Sequence, residues 1–262
     1  MGGNNRRRQQ RLSDARKAAP APRPVADIKP AWRETFDAWG GYPIFGSLAA
    51  ILVLVALLIY ANRPGSSAGA GVFTPPSARP PVSGRVMGNP DAPVKITEFA
   101  DFQCPYCKRF ADDVEPKLIE EFISKGTVSY QFVSFAFLGE ESKKAAEAAE
   151  CAADQNRFWD YHDVLFLRQG KENSGVFSSS NLKQYADQLK VAFPDFDTDK
   201  FDQCLDSGAK RAAVDAQIKL ARDAGVQSTP SFLVNGQALS GVQPIEVFRE
   251  AIAAAQKAAA SK

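Results

Sequence analysis

The longest apolar run in the chain, YPIFGSLAAILVLVALLIYA from Tyr42 to Ala61, carries no charge, and nothing ionisable lies between Asp37 and Arg63. At ~1.5 Å per helical residue such a run crosses a ~30 Å hydrocarbon layer. Tyr42 and Tyr60 mark its ends and Trp32 and Trp39 stand just outside, where interfacial aromatics sit. A buried core helix, the alternative, is normally shorter and keeps a polar face. The pattern therefore predicts a transmembrane anchor over 42–61. The residues before it, Gln9 to Pro30, are basic, rich in Ala and Pro and without apolar period, so 1–41 reads as a disordered arm. After it, RPGSSAGAGVFTPPSARPPVS from Arg63 to Ser83 concentrates Gly, Ser, Ala and Pro, and 62–84 reads as a semi-extended tether.

From Arg85 onward the pattern is that of a folded domain, 85–262. APVKITEFA, Ala92 to Ala100, is a short β-prone run. CPYCKRFADDVEPKLIEEFISKG follows with Phe110, Val114, Leu118 and Phe122 at helical spacing, and Gly126 closes it. TVSYQFVSF is a second strand, which gives β, α, β within some forty residues, the unit of a parallel sheet. A long helical stretch, about 140–225, comes next: ESKKAAEAAECAADQ, NRFWDYHDVLFLR, SSSNLKQYADQL, DTDKFDQCLDSG and AKRAAVDAQIKLARDAG. SFLV and QALS then flank Asn235-Gly236, a type I′ hairpin signal. PIEVFREAIAAAQKAA closes the chain as a helix with Ile245, Phe248, Ile252 and Ala255 on one face. The expected fold is α/β, a small mixed sheet split by a helical insertion.

With 262 residues, 45% of them apolar, the chain has material for one or two domains with a real core. The net charge of +2 hides an asymmetry: Met1 to Trp39 holds nine Lys/Arg against four Asp/Glu, whereas Arg85 to Lys262 holds 21 against 26. A mildly acidic domain gives no support to nucleic-acid binding. The positive charge ahead of the span keeps the N-terminus in the cytoplasm and exports everything after Arg63. AGAG at Ala68 to Gly71 offers a cleavage site, but the apolar run exceeds the 7 to 15 residues of a signal-peptide core, so an uncleaved anchor is expected. RRRQQRL lies some thirty residues before the run, too far for a twin-arginine signal.

Of the four cysteines, Cys104 and Cys107 form a C-x-x-C pair. Taken alone this spacing fits a redox pair, half a zinc site or a local staple. The remaining zinc candidates, Cys151, Cys204 and the single His162, make no second ligand knuckle, and no metal is expected. Placement after a strand and at the first turn of a helix aims unpaired N–H groups and the positive end of the macrodipole at Cys104, which lowers its pKa from ~8.5 toward neutrality. Cys104 is then the exchanging thiol and Cys107, one turn further in, resolves the mixed disulfide. Pro105 suits that turn because it lacks an N–H the turn would leave unpaired. His162, amid the aromatics of FWDYHDVLF, reads as a structural imidazole, and Lys143 and Lys144 as a solvated face.

NPDAPVKITEFADFQCPYCKRF, CAADQNRFWDYHDVLF, FDQCL, VQSTPSFLVNG and the closing helix, in this order, resemble the DsbA-like branch of the thioredoxin superfamily, extracytoplasmic thiol:disulfide oxidoreductases. The resemblance covers nearly all of Gly84 to Ala258 and none of the arm, span or tether. It implies a thioredoxin-like fold, a substrate-pairing cis-proline loop at Thr229-Pro230, and an acid beneath the active site at Glu98 that relays a proton for Cys107. By periodicity alone Glu98 is equally a solvated strand residue. The resemblance also implies a structural disulfide between Cys151 and Cys204, which would stabilise by ~4 kcal/mol in the chain-entropy model; two buried free thiols are the alternative. The dipeptide Pro105-Tyr106 departs from the Pro-His of strong oxidants in the family.

The expectation is a membrane-tethered, monomeric oxidase without cofactor. It would donate the Cys104-Cys107 disulfide to exported proteins with cysteine pairs and be recycled by a quinone-linked, DsbB- or VKOR-like membrane protein. The alternatives are a reductase or isomerase kept reduced by a membrane thiol carrier, and a non-catalytic binding module or chaperone on the same scaffold.

Overall fold

The computed structural model describes residues 51–55, 73–76 and 78–261. Residues 51–55 are helical and belong to a unit of their own, Met1–Pro64. The expected arm 1–41, the rest of the expected span Tyr42–Ala61 and residues 62–72 of the tether lie outside the described residues. Among the described residues no helix is long and apolar enough to cross a membrane.

Six strands make one mixed sheet: β1 (Val82–Ser83), β2 (Val86–Gly88), β3 (Val94–Ala100), β4 (Val128–Ser134), β5 (Ser231–Val234) and β6 (Gln237–Ser240). Their spatial order is β1, β2, β4, β3, β5, β6. β3 and β4 run parallel, with Ile96 opposite Tyr130 and Glu98 opposite Phe132, and every other neighbouring pair is antiparallel. The period of two puts Val94, Ile96, Glu98 and Ala100 on one face of β3 and Phe99 on the other. The first face packs with Tyr130 and Phe132 on β4 into the larger core, and Phe99 joins Val133, Val214, Ile218 and Ala221 in a smaller one. With both faces covered, central strands lose their polar alternation, and this is why VSYQFVS in β4 is buried almost throughout. Asn235 and Gly236 take positive φ, 45° and 89°, as the two-residue turn between β5 and β6 demands.

The sheet reaches further toward the N-terminus than the sequence pattern places it. β1 and β2 flank Gly84, Phe73 is buried in the larger core, and Arg79 pairs with Asp160 and Asp163. Residues 73–84, assigned above to the tether, thus contain parts of the domain. Strands of two and three residues are too short for alternation to register. Gly88 also ties this edge down, because at φ 91° a Cβ there would stand 2.7 Å from Ile123 and 2.8 Å from the Val128 carbonyl oxygen.

The expected helix through Phe110, Val114, Leu118 and Phe122 is broken. α1 (Pro105–Asp113) ends at Val114, α2 (Glu115–Leu118) follows, and a π-turn spans Ile119–Ile123. Pro116 lacks an N–H and its ring crowds the carbonyl four residues back, so the ladder resets there. The insertion comprises α3 (Glu140–Ala153), α4 (Phe158–Arg168), α5 (Ser179–Ala192), α6 (Thr198–Ser207) and α7 (Arg211–Asp223), and α8 (Ile245–Ala260) closes the domain. A disulfide joins Cys151 on α3 to Cys204 on α6, with Cα atoms 5.8 Å apart and 53 residues of separation. Phe110 of α1, Phe232 of β5 and Phe248 of α8 stack in the larger core with centroids 4.6 to 5.7 Å apart, which seats α1 against the sheet.

Candidate active site

β3 ends at Ala100 and α1 begins at Pro105, and the four residues between them carry the chemistry. Asp101 fixes this loop. Its carboxylate, itself buried, accepts from the backbone N–H of Gln103 at 2.8 Å, Phe137 at 3.0 Å and Leu138 at 3.1 Å, so the strand-to-helix turn and the loop after β4 are held by one side chain. The Cys104 N–H donates to the Asp101 carbonyl at 3.0 Å. Cys104 is thereby the N-cap residue of α1, with extended backbone, and Pro105 takes the first helical position.

Cys104 and Cys107 are both unbonded thiols; Cys104 is 5% exposed and Cys107 fully buried. The cis Thr229-Pro230 peptide precedes β5, and the Cys104 Sγ donates to the Thr229 carbonyl at 3.4 Å. Tyr106 is 61% exposed, so the dipeptide between the thiols presents an aromatic surface to solvent beside the Cys104 sulfur.

The Cys104 thiol is brought down to about 6. The largest cause is a hydrogen bond from the Cys107 thiol; burial opposes it, and the Thr229 side chain with the N–H groups of Cys107 and Tyr106 adds further stabilisation of the thiolate. The Thr229 hydroxyl is buried without a hydrogen-bond partner, so it is available to donate once the Cys104 sulfur is ionised. Position at a helix tip contributes two of the donors, but the sulfur three residues on contributes more. Cys107 moves the opposite way, well above the ordinary thiol range, chiefly through burial and then through the neighbouring Cys104 and Glu98. Two thiols one helical turn apart are thus separated into a nucleophile and a thiol that stays protonated.

Glu98 is buried on β3, on the face that the period of two shares with Val94, Ile96 and Ala100. The Tyr130 hydroxyl on β4 donates to it. Burial raises the Glu98 carboxyl to about 8, against the Tyr130 bond, and the Cys104 charge adds to the rise. A carboxyl raised to about 8 is in the range where general acid–base work at near-neutral pH is done.

Polar groups of the insertion, silent in the sequence reading, hold the loop from outside. The Gln169 side-chain amide donates to the carbonyls of Phe102 at 2.6 Å and Cys104 at 3.0 Å. The Gln103 side chain donates to Ser142 Oγ at 2.9 Å and accepts from the Asn173 N–H at 2.6 Å. These partners lie 39 to 70 residues away in sequence, and no local periodicity marks them. His162 sits among Phe102, Phe132, Phe158, Trp159 and Phe166, with its Nδ1 2.9 Å from Asp163 Oδ1. Its Nε2 is unpartnered and 3.8 Å from an equally unpartnered oxygen of buried Glu115.

Comparison with known proteins adds to this geometry. A family model described as thioredoxin matches residues 81–254. Disulfide bond formation protein D of Bacillus subtilis is 31% identical over 179 residues, 67% of this chain and 79% of that protein. Probable disulfide bond formation protein D of Bacillus anthracis is 35% identical over 152 residues, 57% of this chain and 69% of that one. Among solved structures, oxidised BdbD from Bacillus subtilis superposes with a TM-score of 0.61 at 29% identity, covering 69% of this chain and 97% of that chain. A thioredoxin-like oxidoreductase from Silicibacter pomeroyi DSS-3 gives 0.54 at 28% identity over 66% and 91% of the two chains.

Proposed function

Because the chain belongs to the thioredoxin family and is a protein disulfide oxidoreductase, we propose that it works as an extracytoplasmic oxidase tethered to the membrane by residues 42–61. The observation that carries the direction of the reaction is the stabilised Cys104 thiolate. Whatever stabilises a thiolate stabilises the dithiol form, and a stabilised dithiol makes the corresponding disulfide the better oxidant.

In the working cycle a substrate thiolate attacks Cys104 Sγ of the Cys104-Cys107 disulfide. Cys107 leaves with the electron pair of the broken S–S bond and takes a proton from Glu98, while a mixed disulfide forms on Cys104. The second substrate thiolate then attacks its own sulfur in the mixed disulfide, and Cys104 departs as the thiolate that the Cys107 thiol, Thr229 and the helix N–H groups stabilise. Two electrons have then passed from the substrate to the Cys104-Cys107 pair; the substrate thiols gave their protons to water on ionising, Cys107 holds the proton that Glu98 supplied, and Cys104 remains a thiolate. A membrane partner of the DsbB or VKOR type, passing the electrons to a quinone, would restore the disulfide. The loop at Thr229-Pro230, beside the Cys104 sulfur, is where an extended substrate segment would lie.

Equilibrating the full chain with glutathione tests the direction. An oxidase holds mostly dithiol in buffers where thioredoxin would remain disulfide, and the Cys107→Ala variant accumulates mixed disulfides with exported proteins; a reducing potential near that of thioredoxin contradicts it. Protease protection of the domain in sealed cells tests the location.

A further inference from the structure

Glu98 exchanges one proton with Cys107 per turnover under the proposed oxidase cycle, yet Glu98 is 1% exposed and Cys107 fully buried. The proton must come from and return to water. Tyr130, bonded to Glu98, has no exposure either, and its titration feels the charge of both Glu98 and Glu115. Its ring lies 5.6 Å from that of Trp159, whose own ring is 5.1 Å from His162. Next to these rings are two orphaned buried atoms, Glu115 Oε2 and His162 Nε2, 3.8 Å apart, a separation that one bridging water closes.

Their surroundings define an exit. A cleft of about 350 Å³ is lined by Thr74, Lys108, Asp112, Glu115, His162 and Asp163, among others. Asp163 holds His162 through Nδ1 and is itself held by Arg79, so both of its oxygens are engaged and the imidazole is oriented with Nε2 bare toward Glu115.

We infer that Glu115 and His162 are the outer stage of the proton route for Cys107: Glu98 takes the proton of the thiol, and Glu115 with His162 delivers it to water in the cleft beside Asp163. No electrons move through this group; the S–S bond that forms or breaks is that of Cys104 and Cys107, and only the displaced proton travels. The inference rests on the oxidase reading for its demand, and on the orphaned pair and the cleft for its path. The charged and titratable neighbours are Cys107 on α1, Glu98 and Tyr130 on the sheet, Lys108 and Asp112 on α1, Asp160 and Asp163 on α4, and Arg79 ahead of β1. Burial raises the Glu115 carboxyl to about 8, the His162 interaction opposing and the Glu98 charge adding to it, so it is poised in the same range as Glu98.

His162 is the single histidine of the chain, so its imidazole signals in histidine-labelled, unmodified full-length protein need no assignment. The measurement is their pH titration in the disulfide and dithiol forms. The expected result is a midpoint that differs between the two forms, with the difference lost in Glu115→Gln; the same variant slows the dithiothreitol reduction of the disulfide by on the order of tenfold, and imidazole buffer restores the rate. Identical midpoints in both redox forms overturn the inference, as does a difference that survives in Glu115→Gln, which would report a direct field from the thiols. Should Glu115→Gln fail to fold, Asp163→Asn, which leaves Glu115 in place, must reduce the redox difference and the rate, and an unaltered pH–rate profile overturns the inference. A glutathione potential of the unmodified chain near that of thioredoxin would instead sink the oxidase reading.

Discussion

The sulfur of Cys104 and the carbonyl oxygen of Thr229 meet at 3.4 Å across 125 residues of sequence. That contact joins the β3–α1 turn to the loop before β5, and it exists because β5 pairs antiparallel with β3 and brings Phe99 opposite Ser231. The exchanging atom is therefore held between its own helix and the loop that leads into β5.

Thr229→Val tests the contribution of that loop. The substitution keeps the β-branched shape and removes the hydroxyl that favours the thiolate. The Cys104 thiol should titrate higher and the disulfide become less oxidising by about 30 mV, equivalent to about 1.4 kcal/mol for a two-electron couple. Glutathione equilibria of the variant and the unmodified chain check it.

The stability of the two redox forms should diverge with pH. Cys104 in the folded dithiol form binds fewer protons than in the unfolded chain between pH about 6 and 9, so the thiolate stabilisation is present above the unfolded value and is lost as pH falls through about 6. The disulfide form has no such group. Denaturant melts at pH 6 and pH 9 should show the dithiol form gaining on the disulfide form by a few kcal/mol, on the order of 1.4 kcal/mol per pH unit.

Glu98 acts in the reverse sense. Its carboxyl is raised to about 8, so the folded chain holds a proton that the unfolded chain releases near 4.5, and this stabilisation is fully present below the unfolded value and lost as pH rises through about 8. Glu98→Gln should flatten the fall in stability between pH 5 and 8, in melts of the disulfide form where Cys104 does not titrate, while slowing thiol exchange by about a hundredfold or more. An unchanged slope would show that the proton is not held at this site.

Removing the insertion disulfide with a Cys151→Ala, Cys204→Ala double variant should cost ~4 kcal/mol for a loop of 53 residues. The Cys104-Cys107 exchange rate should stay the same, since Cys151 and Cys204 lie on α3 and α6 and touch none of the reacting sulfurs. Chemical denaturation and a dithiothreitol time course measure the two effects.

The parts of this design legible in the sequence are those that rest on local rules. Cys104 ahead of Pro105 and the Asn235-Gly236 turn each follow from neighbours a few residues away, whereas the period of β3 alone leaves Glu98 equally a solvated residue, and its burial depends on what the fold packs over that face. The short strands β1 and β2 escape because alternation needs more residues than they have, and the reset at Pro116 escapes because the apolar spacing runs straight through it. The supports of the site, Gln169 on the Cys104 carbonyl and Asp101 on the turn after β4, depend on which surfaces the fold brings together. The ranking of causes at Cys104 was hidden for the same reason: the helix tip is visible in the sequence, whereas the bond from the Cys107 thiol depends on side-chain direction within the turn.

The most direct measurement is a titration of the Cys104 sulfur itself, by thiolate absorbance or by the pH dependence of alkylation, in the dithiol form of the full chain. A midpoint of about 6 is expected, shifted upward when Cys107 is replaced by Ala. An ordinary thiol midpoint near 8.5, unmoved by Cys107→Ala, would contradict the account.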